Sequence, residues 1–155
     1  FEHRTPAALA AVASALRAED GADVPVGPLA AWPIAAWLRE QGAPLDGFAQ
    51  STVLGTPAGT TEARLRAGIG ALLDRHDALR LRLSPGWALD IAPRGAVSAA
   101  DCWRRVDVAG LDREALRTAV EAERAGDGGG FDLEAGVVLR AVWFDAGPGE
   151  PGHLL

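Results

Sequence analysis

The sequence predicts a mixed α/β domain built around a sheet with hairpins, and three observations predict it. Apolar spacing over Leu65, Ile69, Leu72, Leu73 and His76 is helical, but from Leu79 the period falls to two. Leu79, Leu81 and Leu83 then take one side, with Arg80 and Arg82 on the other. The run from Val137 to Phe144 is almost wholly apolar, as in a central strand covered on both faces. Helical and strand-like segments interleave as helix–strand–helix–strand–strand–strand–helix–strand, an order that suits a mixed sheet.

The elements follow in chain order. Thr5-Pro6 starts a helix, with Thr as N-cap and Pro where its missing N–H costs nothing. Leu9, Val12, Ala13 and Leu16 form its apolar face, ending near Gly21. Residues 21–31 read as a linker, because Gly21, Pro25, Gly27 and Pro28 break any periodicity. Trp32-Pro33 opens a second helix that stops at Gly42, with Ile34, Trp37 and Leu38 as its apolar face. Asp46-Gly47 leads into a strand from Phe48 to Leu54. Thr60 or Thr61 caps the next helix, which runs to Ala78 and passes directly into a strand at Leu79. Ser84-Pro85-Gly86 reads as a three-residue hairpin loop between 79–83 and 87–91, a register that sets Arg80 opposite Asp90. A strand follows at 102–108. Asp112 caps a helix that Leu111 can staple onto Leu116, and 124–130 is a glycine-rich exit. The central strand and a turn at 148–152 lead to a last strand at His153-Leu154-Leu155.

Composition excludes several function classes. The net charge is −6, which argues against a nucleic-acid footprint. All fifteen basic residues are arginine, so a phosphate loop at Gly126 and Gly128–Gly130 is rejected for want of the lysine it requires. One cysteine, Cys102, permits no intrachain disulfide and no CxxC zinc site, and beside Trp103 it reads as a small buried hydrophobe. No set of His, Asp or Glu has metal-ligand spacing. No apolar run approaches the ~20 residues of a bilayer span, and Phe1-Glu2-His3-Arg4 does not open a signal peptide. The protein is expected to be cytoplasmic. Without an initiator methionine, the chain is expected to have been cut from something longer.

Several short segments, in order, resemble the motifs of condensation-superfamily domains of non-ribosomal peptide synthetases. Arg75-His76-Asp77-Ala78-Leu79-Arg80-Leu81-Arg82-Leu83 is similar to the family's RHxALRxRF. Pro33-Ile34 with Trp37-Leu38-Arg39-Glu40 resembles the TPIxxWLRE opening of epimerisation-type members, and Phe48-Ala49-Gln50-Ser51 their FxQS strand. Phe131-Asp132-Leu133 with Gly136-Val137 and Leu139-Arg140 resembles FDLxxGPLLR, and Gly152–Leu155 the strand before the catalytic loop. Phe1 to Ala13 looks like the last helix of a carrier (thiolation) domain.

The resemblance implies residues 1–20 as a carrier tail, 21–31 as a linker and 32–155 as a truncated N-terminal lobe of a chloramphenicol-acetyltransferase-like two-lobed fold. It implies action on aminoacyl or peptidyl thioesters carried on phosphopantetheine, in secondary metabolite or antibiotic biosynthesis. The wording leans to epimerisation of the tethered residue, with peptide-bond-forming condensation as the alternative. No cofactor is expected on this chain itself. The expected partners are the upstream carrier domain and the domain's second lobe, with neither nucleic acid nor membrane. The family's HHxxxDG motif would begin a few residues beyond Leu155, so no catalytic residue is expected here and the segment alone is expected to be inactive. Trp32, Ala35 and Ala36 depart from the family's opening pattern, and the two alanines support a degenerate, carrier-docking reading.

Arg80 is the leading functional residue, since the family's arginine at this place salt-bridges the aspartate of HHxxxDG. Its competing reading is the hairpin pair with Asp90. His76 beside Asp77 is badly placed for base catalysis, because adjacent helical residues diverge by about 100°. His3 and His153 carry no assigned role. The clusters 101–105 and 121–127 read as solvated faces.

Overall fold

The computed structural model describes residues 25–42, 45, 49–126 and 131–155. The expected carrier-like helix, Asp46–Phe48 and residues 127–130 lie outside them. The elements are β1 (Gly27–Leu29), α1 (Pro33–Gln41), β2 (Leu54–Thr56), α2 (Glu62–Arg75), β3 (Leu81–Ser84), β4 (Ala88–Ile91), β5 (Trp103–Asp107), α3 (Arg113–Arg124), β6 (Ala141–Asp145) and β7 (Gly152–Leu154). They build a three-stranded sheet in the order β1-β4-β3 and a four-stranded sheet in the order β2-β7-β6-β5. Among the described residues only the β5–β6 pair is parallel, and α3 makes its crossover, so the larger sheet is mixed as expected.

Two apolar clusters show how the larger sheet is covered. Ala141 joins Ile69 and Leu73 of α2, with Val97 and Cys102, on one face. Val142 and Phe144 pack with Leu116, Ala119 and Val120 of α3 on the other. All five residues of β6 are therefore buried. That explains its unbroken apolar run; full burial of Phe144 alone contributes about 1.5–3 kcal/mol.

Local chemistry sets the helix ends as the sequence implies. Thr61 Oγ1 accepts from the Arg64 N–H at 3.4 Å, and Asp112 Oδ1 from the Ala115 N–H at 2.8 Å. Pro33 opens α1, and Gly42 closes it in the left-handed region at φ 60°.

Other expectations are corrected. Helix α2 ends at Arg75 with His76 as C-cap, and a 3-10 turn over Asp77–Arg80 intervenes before the strand. The Arg80 side chain reaches back to the carbonyls that end α2, and that reach requires a tighter turn. The hairpin loop is Pro85-Gly86-Trp87, because both Gly86 (φ 80°) and Trp87 (φ 62°) adopt left-handed backbone. This shift places Arg82, not Arg80, opposite Asp90. Part of the expected linker is strand β1, an edge strand paired with β4, where Pro28 is tolerated. Helix α1 buries Ala35, whereas Ile34 and Trp37 are 53% and 50% exposed. The strand expected to end at Leu54 instead begins there, and the central strand starts at Ala141 rather than Val137.

Candidate functional site

Arg80 closes the 3-10 turn and is completely buried, 0% exposed. A buried guanidinium is tolerable only when its charge and N–H groups are met. Here Nε donates to Ala92 O at 3.0 Å, and Nη1 donates to Leu73 O at 2.5 Å and Asp74 O at 3.3 Å. Nη2 donates to Asp77 Oδ1 at 2.5 Å in an ion pair spanning one turn. The Ala92 N–H donates in return to Arg80 O at 3.0 Å. One side chain thus ties the end of α2, the 3-10 turn and the residue after β4 into one corner.

Neighbouring family-like segments meet near this corner. Leu79 and Leu154 both pack on the cluster of Ile69, Leu73 and Ala141. Leu155 exchanges both main-chain hydrogen bonds with Val142, at 2.8 and 2.9 Å, so β7 runs out beside the start of β6. The Phe131–Gly136 segment is a turn in which Asp132 Oδ1 accepts from the Ala135 N–H at 2.9 Å. Leu133 O accepts from the Leu83 N–H at 2.9 Å, joining that turn to β3. A Cβ on Gly136 would stand 3.0 Å from Arg82 Cγ, so glycine permits this close packing.

The other candidates resolve individually. His76 is exposed and caps α2, while the carboxylate of Asp77 is engaged by Arg80, so the two form no catalytic pair. His153 sits in β7 between Gly55 and Phe144 in register. His3, Gly128 to Gly130 and Asp127 lie outside the described residues. Burial, and then the charge of Asp101, push the Cys102 thiol pKa up, which suits an inert core residue. Hydrogen bonds from Ser98 hold Asp101 below the usual carboxylate range. Among the described residues no group of three or more His, Cys, Asp or Glu could hold a metal ion. Among them also, no helix is long and apolar enough to cross a membrane.

A second feature has no local signature in the sequence. An open depression of about 280 Å³ lies at the N-terminus of α2, lined among others by Thr61, Glu62, Arg105, Trp143 and Asp145. Arg105 lies over the Trp143 ring at 5.5 Å and pairs with Asp145 at 2.5 Å. These residues converge through the parallel register Arg105↔Trp143, which no short-range pattern encodes. On the other face, Glu123 of α3 bridges Arg104 at 3.1 Å and Arg140 at 3.4 Å.

No protein-family model matches the chain. It is 33% identical over 161 residues, all of this chain, to a linear gramicidin synthase polypeptide of Brevibacillus parabrevis, and spans 3% of that protein. It is 42% identical over 89 residues to chondramide synthase cmdD of Chondromyces crocatus, covering 54% of this chain and 2% of the synthase. Its fold resembles the epimerization domain from the third module of tyrocidine synthetase B, with TM-score 0.59 and 18% identity over 84% of this chain and 30% of that one. It likewise resembles the condensation domain of the monacolin K polyketide synthase MokA, with TM-score 0.53 and 20% identity over 84% of this chain and 29% of that one. These two structural likenesses concern the fold.

Proposed function

We propose that this chain, a condensation-type domain by fold and by resemblance, works within a non-ribosomal peptide synthetase on aminoacyl or peptidyl thioesters carried on phosphopantetheine. The observation that carries the reading is the similarity to a linear gramicidin synthase along the whole chain. The ordered motif resemblances add to it.

In this reading residues 32–155 belong to an N-terminal lobe that works with a second lobe, and residues 1–20 are the tail of an upstream carrier domain. The linker between them ends before Gly27, since β1 already pairs with β4. Catalytic residues come from outside this chain. Arg80 supports the active-site loop by fixing the corner beside which β7 leaves the sheet. Of its five N–H groups, four are committed to Ala92, Leu73, Asp74 and Asp77. The preferred reaction is epimerisation, removal and return of the α-proton of the tethered residue, on the wording of Pro33–Glu40.

The test loads the carrier of the complete protein with an aminoacyl group and follows the thioester by mass spectrometry and chiral analysis. An inverted residue or a new amide is expected from a catalytic domain. An unchanged aminoacyl thioester contradicts the reading and leaves a carrier-docking role.

A further inference from the structure

We infer that the uncharged surface formed by β1, Trp32 and α1 is an interface with the remainder of the same domain, the part that follows Leu155; the inference rests on the reading of this chain as part of a two-lobed domain. From Pro25 to Leu38 fourteen successive residues carry no charge, in a chain of which 23% of residues are charged. Such a run belongs in an interior, yet here it faces solvent. Val26, Leu29, Trp32, Ile34 and Trp37 are 56%, 41%, 39%, 53% and 50% exposed. Single exposed hydrophobics need no account, but these five fall within twelve residues of the chain. An exposed apolar cluster of this kind marks an interaction surface.

The pattern of α1 points the same way. Its one buried residue is Ala35, with Ala36 and Leu38 half-buried beside it. Ile34 and Trp37, three apart, form a second apolar stripe that remains in solvent. Residues 33–38 are thus apolar all round, and a helix of that kind needs cover on both sides. This chain supplies one side. It spans 30% of the epimerization-domain chain and 29% of the condensation-domain chain whose fold it resembles, so most of such a domain lies beyond it. Tethered in one polypeptide, that remainder reaches the surface at an effective concentration that a second copy does not match. A carrier domain that docks and leaves would return the surface to water at each visit, and non-obligate interfaces are no more apolar than ordinary protein surface. Fourteen uncharged residues suit a permanent cover.

The experiment places a photoreactive benzophenone amino acid at position 37 of the complete protein and maps its adduct by peptide mass spectrometry. Hydroxyl-radical footprinting of the unsubstituted protein runs beside it. The adduct is expected in the same polypeptide beyond Leu155, and Trp32 and Trp37 are expected to label as slowly as the buried Trp143. An adduct within residues 1–20, in a carrier domain or in a second polypeptide overturns the inference, as does rapid labelling of Trp32 and Trp37. Any of these in a protein that still inverts its thioester or forms an amide leaves the proposed function standing. An unchanged thioester beside an adduct beyond Leu155 removes that function and leaves the interface. Should the substituted protein fail to fold or give no adduct, the probe moves to position 34. No adduct there, in folded protein, overturns the inference, and should that variant also fail to fold, the footprint of the unsubstituted protein decides.

Discussion

Arg80 and Ala92 hold each other twice: the Ala92 N–H donates to Arg80 O, and Arg80 Nε donates to Ala92 O, each at 3.0 Å. Main chain and side chain of one residue thus bind the same partner across the corner where the smaller sheet meets the end of α2. That double tie makes the buried arginine part of the fold as well as a support for anything seated on the corner.

Replacing Arg80 by Met keeps much of the volume but takes the donor from the carbonyls of Leu73 and Ala92 and leaves the 34% exposed carboxylate of Asp77 to solvent. The expected loss is about 1–3 kcal/mol, as for buried acceptors left without a partner. Chemical denaturation checks it, and a loss under ~1 kcal/mol, the range of surface ion pairs, would show that the corner stands without it.

Two neighbouring glycines should respond unequally to alanine. A Cβ on Gly152 would lie 2.6 Å from Phe144 O, 3.0 Å from Thr56 Oγ1 and 3.1 Å from Trp143 Nε1, whereas on Gly55 it would meet nothing within 4 Å. Gly152→Ala is expected to destabilise by about 1–3 kcal/mol through overpacking. Gly55→Ala is expected to stay within ~0.5 kcal/mol of the parent. Thermal melts of the two variants side by side make the comparison.

The buried thiol of Cys102 gives a pH dependence of definite sign. Its folded pKa is raised by burial and then by Asp101, so the unfolded chain ionises first as pH rises. The contribution to stability is complete below the ordinary thiol value of ~8.5 and is lost as pH climbs through it toward the folded value. Melting temperatures should therefore fall more steeply between pH 7 and pH 10 in the parent than in Cys102→Ala. Parallel curves would remove the assignment.

Much of this fold is legible because its signals are local. Thr61 and Asp112 cap their helices through their own side chains, Gly42 closes α1, and the apolar run in β6 reports cover on both faces. The segments that differ from expectation are decided by partners distant in sequence or by unusual backbone. Gly27-Pro28-Leu29 has no strand pattern and becomes a strand because β4 offers it an edge. The hairpin shifts in register because Trp87, a residue that rarely takes positive φ, does so here. Arg80 stands out by resemblance, but its bonds to Leu73 and Asp74 depend on the 3-10 turn, which the alternating pattern of 79–83 conceals. The Arg105–Trp143–Asp145 group exists only once β5 pairs in parallel with β6.

The most direct measurement is deuterium exchange at the α-carbon of an aminoacyl thioester loaded on the carrier of the complete protein. Transfer into D2O with the upstream carrier charged should place deuterium at that carbon, at a rate well above that of the same thioester on an excised carrier. No exchange above the excised carrier, together with a new amide product, would contradict epimerisation and assign the domain to peptide-bond formation.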